Sequence, residues 1–512
     1  MPAPVGRLKH ASAVRIVEIK RLLKRKILWL LVFLLILTAC QPQVEVSDPG
    51  QEAASIPIPA TPAEGGLPTP LPTREPYAPG TLVDYTAQTG DTLPALAAHF
   101  NTTVREILQA NPFIPPDATT MPPGMPMKIP IYYRPLWGSP FQILPDPLFI
   151  NGPAQVGFDA KEFVNQQPGW FKDYSFYIGK RDRRGGEIIE YIATEYSISP
   201  RLLLTVLEYQ TGALTQPQPS VDVDLYPLSY RDPFAKGLAR QLLWAANILN
   251  NGYYGWRTGR LETIRHVDGR LENPDAWQNA ASVALHYYYA QMLPQEAYDY
   301  AVSGEGLLQV YTELFGDPWA GIEPHIPGSL TQPDMSFPFP SGKVWAFTGG
   351  PHTGWGEGEP LAALDFAPPS VVGACLISEQ PAVAVADGVI ARRGDALVVL
   401  DLDGDGDERT GWTVFYLHLA NDSLPPVGRR LSKGDPIGLP SCEGGKATGT
   451  HVHIARKYNG EWIPAGGALP FNLEGWVAAN GEQPYQGMLS RAGRTVRACE
   501  CSDRSSQVQS QP

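Results

Sequence analysis

The spacing of apolar residues changes near residue 336, and this change constrains the fold more than any other feature of the chain. Within residues 160–325 apolar side chains recur every three or four positions, which is typical of helices packed on a core. Within residues 336–480 they form short β-branched and aromatic runs broken by Gly, Pro and Asp, which is typical of antiparallel strands. A chain of 512 residues is also too long for one core. We therefore predict a multidomain protein with a mainly α middle domain and a C-terminal, mainly antiparallel β domain.

The first 39 residues have the pattern of an export signal. Lys24–Lys26 precede an apolar run, Ile27–Leu37, that is shorter than the roughly 20 residues of a membrane span. The run ends in Thr-Ala-Cys40 and resembles a bacterial lipoprotein signal. This resemblance implies lipidation of Cys40 and anchoring of the protein to the cell envelope outside the cytoplasm. The alternative is an uncleaved membrane anchor with an incidental cysteine, which also exports most of the chain.

The charge of the chain argues against nucleic acid as a partner. The formal net charge is −12, and the segment after residue 39 is more acidic still, because basic residues are concentrated in the export signal. Nucleic acid requires Lys and Arg to neutralise its phosphates. A neutral or mixed-charge polymer is a more suitable partner.

Two segments lack an apolar period. Residues 40–82 are rich in Pro, Ala, Thr and Glu, which predicts a disordered tether, extended in part, that reaches from the membrane into the wall. Residues 481–512 are polar, and we expect a tail that is loose at its end.

Residues 83–131 are predicted to form a strand, two helices and a closing strand. Thr103 can cap the second helix, and Asn111-Pro112 ends it. The order of elements, the Tyr-x-x-x-x-Gly-Asp-Thr-Leu motif from Tyr85, and the Pro-Gly before a Lys-Ile-Pro strand resemble a LysM module. That resemblance implies binding to N-acetylglucosamine-containing glycans such as peptidoglycan. A small spacer with the same βααβ order is the alternative.

The helical domain contains one candidate catalytic residue, Glu208. The segment 199–212 faintly resembles the helix of lysozyme-like transglycosylases, in which a catalytic Glu precedes Ser/Thr-Gly. A carboxyl group in an apolar pocket can serve as general acid towards a glycosidic bond. Gln210 makes the gap longer than in the usual motif, and a lone helical Glu is more often solvated or capping. The sequence therefore leaves open both a glycan-cleaving and a non-catalytic helical domain.

The β domain carries four of the nine histidines, and three of its residues form a candidate metal set. His451 and His453 are alternate residues of a strand-like run, so their rings should project to the same side. His352 follows Gly-Gly-Pro, and Asp365 lies within Leu-Asp-Phe. Two histidines and one aspartate suit zinc with an open fourth position. Such a position would hold a water whose pKa the metal lowers.

In this order, these residues resemble the lysostaphin and beta-lytic family of zinc endopeptidases. The resemblance implies that His352, Asp365 and His453 bind zinc, and that His418 and His451 are catalytic without binding it. The twelve residues between His352 and Asp365 are typical of the beta-lytic branch. The implied activity is cleavage of peptidoglycan cross-links by a zinc-activated water, with the two catalytic histidines moving the proton. A non-catalytic wall-binding scaffold or activator is the alternative, and a dual enzyme that also uses Glu208 is another.

The cysteines suggest a disulfide in the β domain. Four cysteines remain after Cys40, and an even number in an oxidising compartment suggests bridges. A Cys375–Cys442 bridge would tie two parts of the domain. Cys499 and Cys501 are too close in sequence to form an obvious mutual bridge.

An acidic loop is a candidate calcium site. Asp401, Asp403 and Asp405, followed by Gly406, start like an EF-hand loop, but the twelfth position is Trp412 instead of Glu and the flanks look like strands. The sequence leaves open a calcium-stapled hairpin and a solvated acidic turn.

Overall fold

The computed structural model describes the chain from residue 71 to its end, apart from residues 75, 135, 370–374 and 502. The expected export signal, Cys40 and most of the expected tether therefore lie outside the described residues. None of the helices in this described part is long and apolar enough to cross a membrane. All described residues belong to a single compact unit.

The N-terminal module has the predicted order of strand, helix, helix and strand. Thr92 and Thr103 cap the two helices, because each side-chain oxygen accepts a backbone N–H of the first turn, from Ala95 and Glu106 respectively. Thr103 and Glu106 form a reciprocal capping box. The strands pair antiparallel. The elements are β1 Thr81–Thr86, α1 Leu93–His99, α2 Val104–Ala110 and β2 Pro126–Ile131.

The middle domain is built from helices and two short hairpins. Its helices are α3 Ala160–Gln166, α4 Gly186–Tyr196, α5 Pro200–Thr211, α6 Leu238–Arg257, α7 Ala280–Ala290, α8 Gln295–Ala301 and α9 Leu307–Phe315. The hairpins pair β3 Ser175–Ile178 with β4 Arg181–Arg184, and β5 Ile264–Arg265 with β6 Leu271–Glu272.

Two of these helices begin several residues after a proline. Pro233 favours a helix start, but it begins a short 3-10 turn, and α6 starts after Gly237, whose φ of 91° is outside the helical region. Pro274 is likewise followed by an irregular segment, and Asn279 caps α7 by accepting the N–H of Ser282.

The C-terminal domain is centred on an antiparallel sheet. Along the sheet the strands follow the order β13, β10, β11, β12, β15, β8, β7 and β21, and β16 also pairs with β15. Their bounds are β7 Val344–His352, β8 Ala363–Ala367, β10 Gly388–Arg393, β11 Leu397–Asp401, β12 Trp412–Leu417, β13 Arg430–Leu431, β15 Val452–Tyr458, β16 Glu461–Trp462 and β21 Gln507–Gln509. Two further sheets contain β9 Ala382–Val383 with β14 Pro436–Gly438, and the series β17 Asn472–Leu473, β18 Trp476–Asn480, β19 Gly487–Arg491 and β20 Arg494–Arg497.

The expectation that the polar tail of residues 481–512 is loose at its end is wrong. This segment contributes β19 and β20, whose Leu489 and Val496 are buried, and β21, which pairs with β7. One buried residue per short strand is a weak hydrophobic signal, so the sequence reads as polar although the pairing orders it.

The central sheet is covered on both faces. Along β11 the buried side chains alternate: Leu397 and Val399 pack in the core of the helical domain, while Val398 and Leu400 pack in the core of the β domain. The helical domain therefore covers one face of the central sheet.

One arginine connects all three modules. Arg257, in α6, is buried and donates to the carbonyl oxygen of Thr89 in the N-terminal module. It also pairs with Asp146 at 3.1 Å and with Glu461 of the β domain at 3.0 Å. The second oxygen of Glu461 lies 2.6 Å from Nε2 of His325. This buried ionic cluster fixes the three modules relative to one another.

The structure contains the expected Cys375–Cys442 disulfide and one that the sequence analysis did not expect. Cys499 and Cys501 are also bridged, with their Cα atoms 5.1 Å apart. That separation lies within the usual range for disulfides, so one intervening residue suffices.

Candidate active site

Three side chains converge where β7, β8 and β15 run side by side. The sheet register places His453 of β15 directly opposite Asp365 of β8, and His352 is the last residue of β7. Asp365 Oδ1 lies 3.3 Å from His352 Nε2 and 3.4 Å from His453 Nδ1. The two ring nitrogens are 3.1 Å apart. One donor atom from each residue therefore points to a common centre.

Backbone carbonyls determine which ring nitrogens face this centre. Nδ1 of His352 lies 2.8 Å from the carbonyl oxygen of Gly350, and Nε2 of His453 lies 3.2 Å from that of Gly354. A carbonyl oxygen only accepts, so these two nitrogens carry the hydrogen of a neutral ring. His352 Nε2 and His453 Nδ1 consequently present lone pairs, as metal ligands must.

The electrostatics of the centre fit a bound cation. Asp365 Oδ1 is buried and has no hydrogen-bond donor among the described residues, an arrangement that is costly without a compensating positive charge. Burial raises the pKa of Asp365, but His352 and His451, when protonated, outweigh burial and hold that pKa well below its ordinary range. The carboxylate is therefore ionised at neutral pH. Two imidazole nitrogens and one carboxylate oxygen are a donor set that zinc prefers.

Gly349 allows the strands to approach at this point. It lies opposite Asp365 in the β7–β8 register, and a Cβ at this position would overlap the Asp365 carboxylate. Any larger residue would displace the carboxylate from the centre.

The other two predicted histidines border the same cavity, which has a volume of about 720 Å³. His418 directly follows β12 with a left-handed φ of 64°, and its Nδ1 donates to the carbonyl oxygen of Glu443 at 2.8 Å. Nδ1 of His451 donates to the carbonyl oxygen of Gly449 at 2.7 Å. Both rings therefore keep Nε2 available, and their centroids are 4.5 Å apart.

The protonation state of His418 follows from its surroundings. Burial, together with His451 and His453, lowers the pKa of His418 to about 4. At neutral pH the ring is uncharged, so its Nε2 can accept a proton or a hydrogen bond.

The C-terminal segment, residues 481–512, forms one wall of this cavity, which the sequence analysis did not predict. The ring of Tyr485 stacks on His352, with centroids 4.1 Å apart, and Glu500 also borders the cavity. The N–H of Gly350 donates to the Tyr485 carbonyl at 2.7 Å. The only signal in the sequence is a weak hairpin pattern around the Ala-Gly turn at 492–493.

The loop between β7 and β8 is held by the helical domain. The N–H groups of Glu357 and Glu359 donate to the side chains of Asn247 and Asn251 on α6, at 2.8 and 2.7 Å. Arg260 forms an ion pair with Glu359. This loop supplies the Gly354 carbonyl that orients His453, so α6 supports the site indirectly.

Glu208 does not border the cavity that contains these histidines. It belongs to the last turn of α5, and its carboxylate accepts the N–H of Leu214 at 2.6 Å and the hydroxyl of Thr215. Both oxygens are thus used to hold the turn that follows the helix, which corresponds to the capping role that the sequence left open.

The acidic loop joins β11 to β12. Asp401, Asp403 and Asp405 each offer an oxygen within 4.8 Å of the others. Burial is the largest cause that raises the pKa of Asp401 to about 6. Its two oxygens accept the N–H groups of Asp403, Gly404 and Gly406. A calcium ion at this hairpin stays a prediction.

Known proteins match this chain in two regions. Residues 85–130 match the family described as the LysM domain, and residues 142–329 match the family described as LasA, N-terminal domain. Protease LasA of Pseudomonas aeruginosa is 26% identical over 348 residues, covering 64% of this chain and 76% of LasA. Beta-lytic metalloendopeptidase of Lysobacter enzymogenes is 29% identical over 141 residues, covering 26% of this chain and 74% of that protein.

Two solved structures are partly similar to this chain. The M23 metalloprotease pseudoalterin, from the deep sea, is 24% identical and covers 33% of this chain and 96% of its own, with a TM-score of 0.29. The catalytic domain of lysostaphin from Staphylococcus simulans is 20% identical and covers 24% and 88%, with a TM-score of 0.17.

The sequence relatives define the class of the protein: it is a metalloendopeptidase. More closely, its C-terminal region is similar to the beta-lytic metalloendopeptidases, its helical domain to the N-terminal domain of LasA, and its N-terminal module to the LysM domain.

Proposed function

We propose that this protein is a zinc endopeptidase that hydrolyses the peptide cross-links of bacterial peptidoglycan outside the cytoplasm. The observation that carries the proposal is the convergence of His352 Nε2, His453 Nδ1 and Asp365 Oδ1 on one centre. His418 and His451 border the same cavity with one nitrogen each available. The relatives of this chain are named as a protease and metalloendopeptidases.

The metal centre and the two further histidines have separate tasks. His352, Asp365 and His453 would hold zinc, which when bound supplies a Lewis acid to polarise the scissile carbonyl and activate water. His418 and His451 handle the proton, because their Nε2 atoms face the cavity while their Nδ1 atoms are bonded to carbonyl oxygens. The pair accepts a proton from the attacking water and returns one to the amine that leaves.

The remaining modules would bring the peptidase to its substrate. In this proposal residues 83–131 bind the glycan, residues 160–325 support the peptidase, and residues 336–480 carry the chemistry, with 481–512 completing the sheets. A lipid on Cys40 and the tether over 40–82 would hold the protein at the envelope. The LysM match supports the glycan-binding part.

The alternatives find less support. A scaffold that has lost its metal would be expected to lack ligands, whereas all five residues are present and close together. A dual enzyme would need a free carboxyl group on Glu208, but the Glu208 carboxylate is engaged by Leu214 and Thr215.

Digestion of purified peptidoglycan, analysed by mass spectrometry, tests the proposal. The zinc-loaded ectodomain should release new amines and no new reducing sugars. Asp365→Ala should lose most of the zinc and the activity, because two histidines alone bind the metal far more weakly. Asp422→Ala, which removes an exposed carboxylate of the same domain, is the matched control and should retain both.

Two results would contradict the proposal. Near-stoichiometric zinc in Asp365→Ala would refute the ligand assignment. New reducing ends that vanish in Glu208→Gln would move the chemistry to the helical domain.

A further inference from the structure

A second cavity, of about 510 Å³, lies between the helical domain and the β domain. The β3–β4 hairpin and α4 form one wall, and the turn between β10 and β11 forms the other. Gly445 borders this cavity and also the cavity with the metal centre. A Cβ built on Gly445 would lie 3.8 Å from the His418 ring. The two cavities therefore share a lining residue beside a proposed catalytic histidine.

The carboxylates around this second cavity are already engaged. Each accepts a hydrogen bond or forms an ion pair with a neighbour: Glu187 with Arg181, Glu190 with the Lys161 backbone, Glu195 with Arg392, and Asp395 with Lys180. Their negative charge is thus largely compensated within the protein.

Two guanidinium groups on the cavity are available to an anion. Arg183 and Arg393 form no ion pair with any carboxylate in the described ranges. Arg183 donates to the carbonyl oxygens of Ile178 and Gly179 and lies over the ring of Tyr191, 4.3 Å from its centroid. Arg393 is exposed and donates one hydrogen bond to a backbone carbonyl.

The surroundings of Arg183 favour an arriving negative charge. Burial and the neighbouring Arg181 lower the pKa of Arg183, and Tyr191, Glu187 and Glu195 offset this shift only in part. Guanidinium binds carboxylate through charge-assisted, often bidentate hydrogen bonds that a neutral amide cannot reproduce. Tyr191 and the half-buried Trp355, which also borders the cavity, offer aromatic surface for an adjoining aliphatic group.

We propose that this cavity is a substrate subsite for a peptide segment that carries a free carboxylate. Arg183 and Arg393 bind the carboxylate, and Tyr191 and Trp355 contact the apolar part of the same segment. The inference rests on the proposed function, because the occupant is the peptide that the metal centre cleaves. The helical domain thereby helps to select the substrate, through Arg183 and Tyr191 and without using Glu208.

Four synthetic peptides, each containing the cleaved bond, test the subsite. Two differ only in a side-chain carboxylate or its amide, and two differ only in a C-terminal carboxylate or its amide. With the zinc-loaded ectodomain, one of the acids should have a KM about 10-fold below that of its amide, as expected for a charge-assisted hydrogen bond. The pair that shows the difference identifies the source of the carboxylate.

Substitution of the arginines separates recognition from catalysis. Arg183→Gln should raise the KM of the acid to that of its amide and leave kcat within about twofold, because the binding energy that it removes is shared by the ground and transition states. Arg393→Gln should act in the same direction and is exposed, so its folding is not in question. Arg184→Gln is the matched control, because Arg184 lies on the same hairpin, pairs with Asp173 at 3.1 Å and does not border the cavity.

The outcomes distinguish the inference from the proposed function. Equal KM values within both pairs, or an Arg183→Gln effect that is as large on the amides, would overturn the subsite while leaving the peptidase intact. If none of the peptides is cleaved, the proposed function fails, and calorimetric affinities of the four peptides then decide the subsite by the same acid-to-amide ratio.

Discussion

At the scale of single residues, each histidine of the candidate site is oriented by a hydrogen bond from one of its ring nitrogens to a backbone carbonyl oxygen. Every ring in the site bonds a backbone carbonyl with one nitrogen: His352 and His418 with Nδ1, His451 with Nδ1, and His453 with Nε2. The remaining nitrogen is thereby left to the metal or to the substrate. The nitrogen that bonds the carbonyl is Nδ1 in His451 and Nε2 in His453, although the two residues share one strand face.

Substitution of the proton carriers should lower rate without removing metal. His418→Ala and His451→Ala should keep near-stoichiometric zinc and lose roughly 10²–10⁴ in kcat, as is typical when a proton-transfer partner is removed. Metal analysis and steady-state kinetics on a peptide substrate measure the two effects. His99→Ala, a histidine of the LysM module that lies outside the active-site cavity, is the control. A wild-type rate in either variant would contradict the assignment.

At the scale of elements, the β7–β8 loop is the part of the site that depends most on another domain. Its backbone is held by two asparagines of α6, Asn247 and Asn251, and its Gly354 carbonyl in turn fixes the ring of His453. A metal ligand that is oriented by an outer partner binds more tightly than one that is free to rotate. The helix therefore contributes to the metal centre without touching it.

The double variant Asn247→Ala/Asn251→Ala should weaken the site from a distance. We expect a 10–100-fold loss in zinc affinity or activity, the usual effect when an outer partner of a metal ligand is removed. Zinc titration against a competing chelator measures it. Arg240→Ala, on the exposed side of the same helix, should be silent. Unchanged affinity and activity in the double variant would show that the loop holds its shape unaided.

At the scale of the whole molecule, the buried cluster around Arg257 decides how the modules respond to acid. Burial raises the pKa of Glu461, but Arg257 and His325 outweigh burial and hold that pKa at about 2. An unfolded glutamate has a pKa of about 4.3. The stabilisation from Glu461 is therefore fully present above about pH 4.3 and is lost as the pH falls through 2.

Glu461→Gln should loosen the junction even at neutral pH. Removal of one member of a buried pair costs about 3–5 kcal/mol in the free energy of unfolding. The urea midpoint at pH 7 should fall accordingly, and it should depend less on pH between 5 and 2 than in the wild type. Glu482→Gln, an exposed change in the same domain, is the comparison. An equal acid dependence in wild type and Glu461→Gln would assign the effect to other carboxylates.

Sequence analysis predicted those parts of the candidate site that strand periodicity or family resemblance can indicate. The shared face of His451 and His453 follows from strand periodicity, and their partners His352, Asp365 and His418 follow from family resemblance. Tyr485 and Arg183 were not predicted, because sheet register and domain packing bring them to the cavities from distant segments. Polar strands with one buried residue, such as β19 and β20, have little local signal.

In the proposed function, the Arg257 junction would also limit the substrate geometry that the protein can accept. Since Thr89 of the LysM module and Glu461 of the β domain bond the same guanidinium group, these two modules are held at a constant separation. In the proposed function, the LysM module binds one glycan chain. The metal centre can then reach only those cross-links that lie at a fixed distance from the bound position. The mesh of the wall, and not only the chemistry of its peptides, would then determine where it is cut.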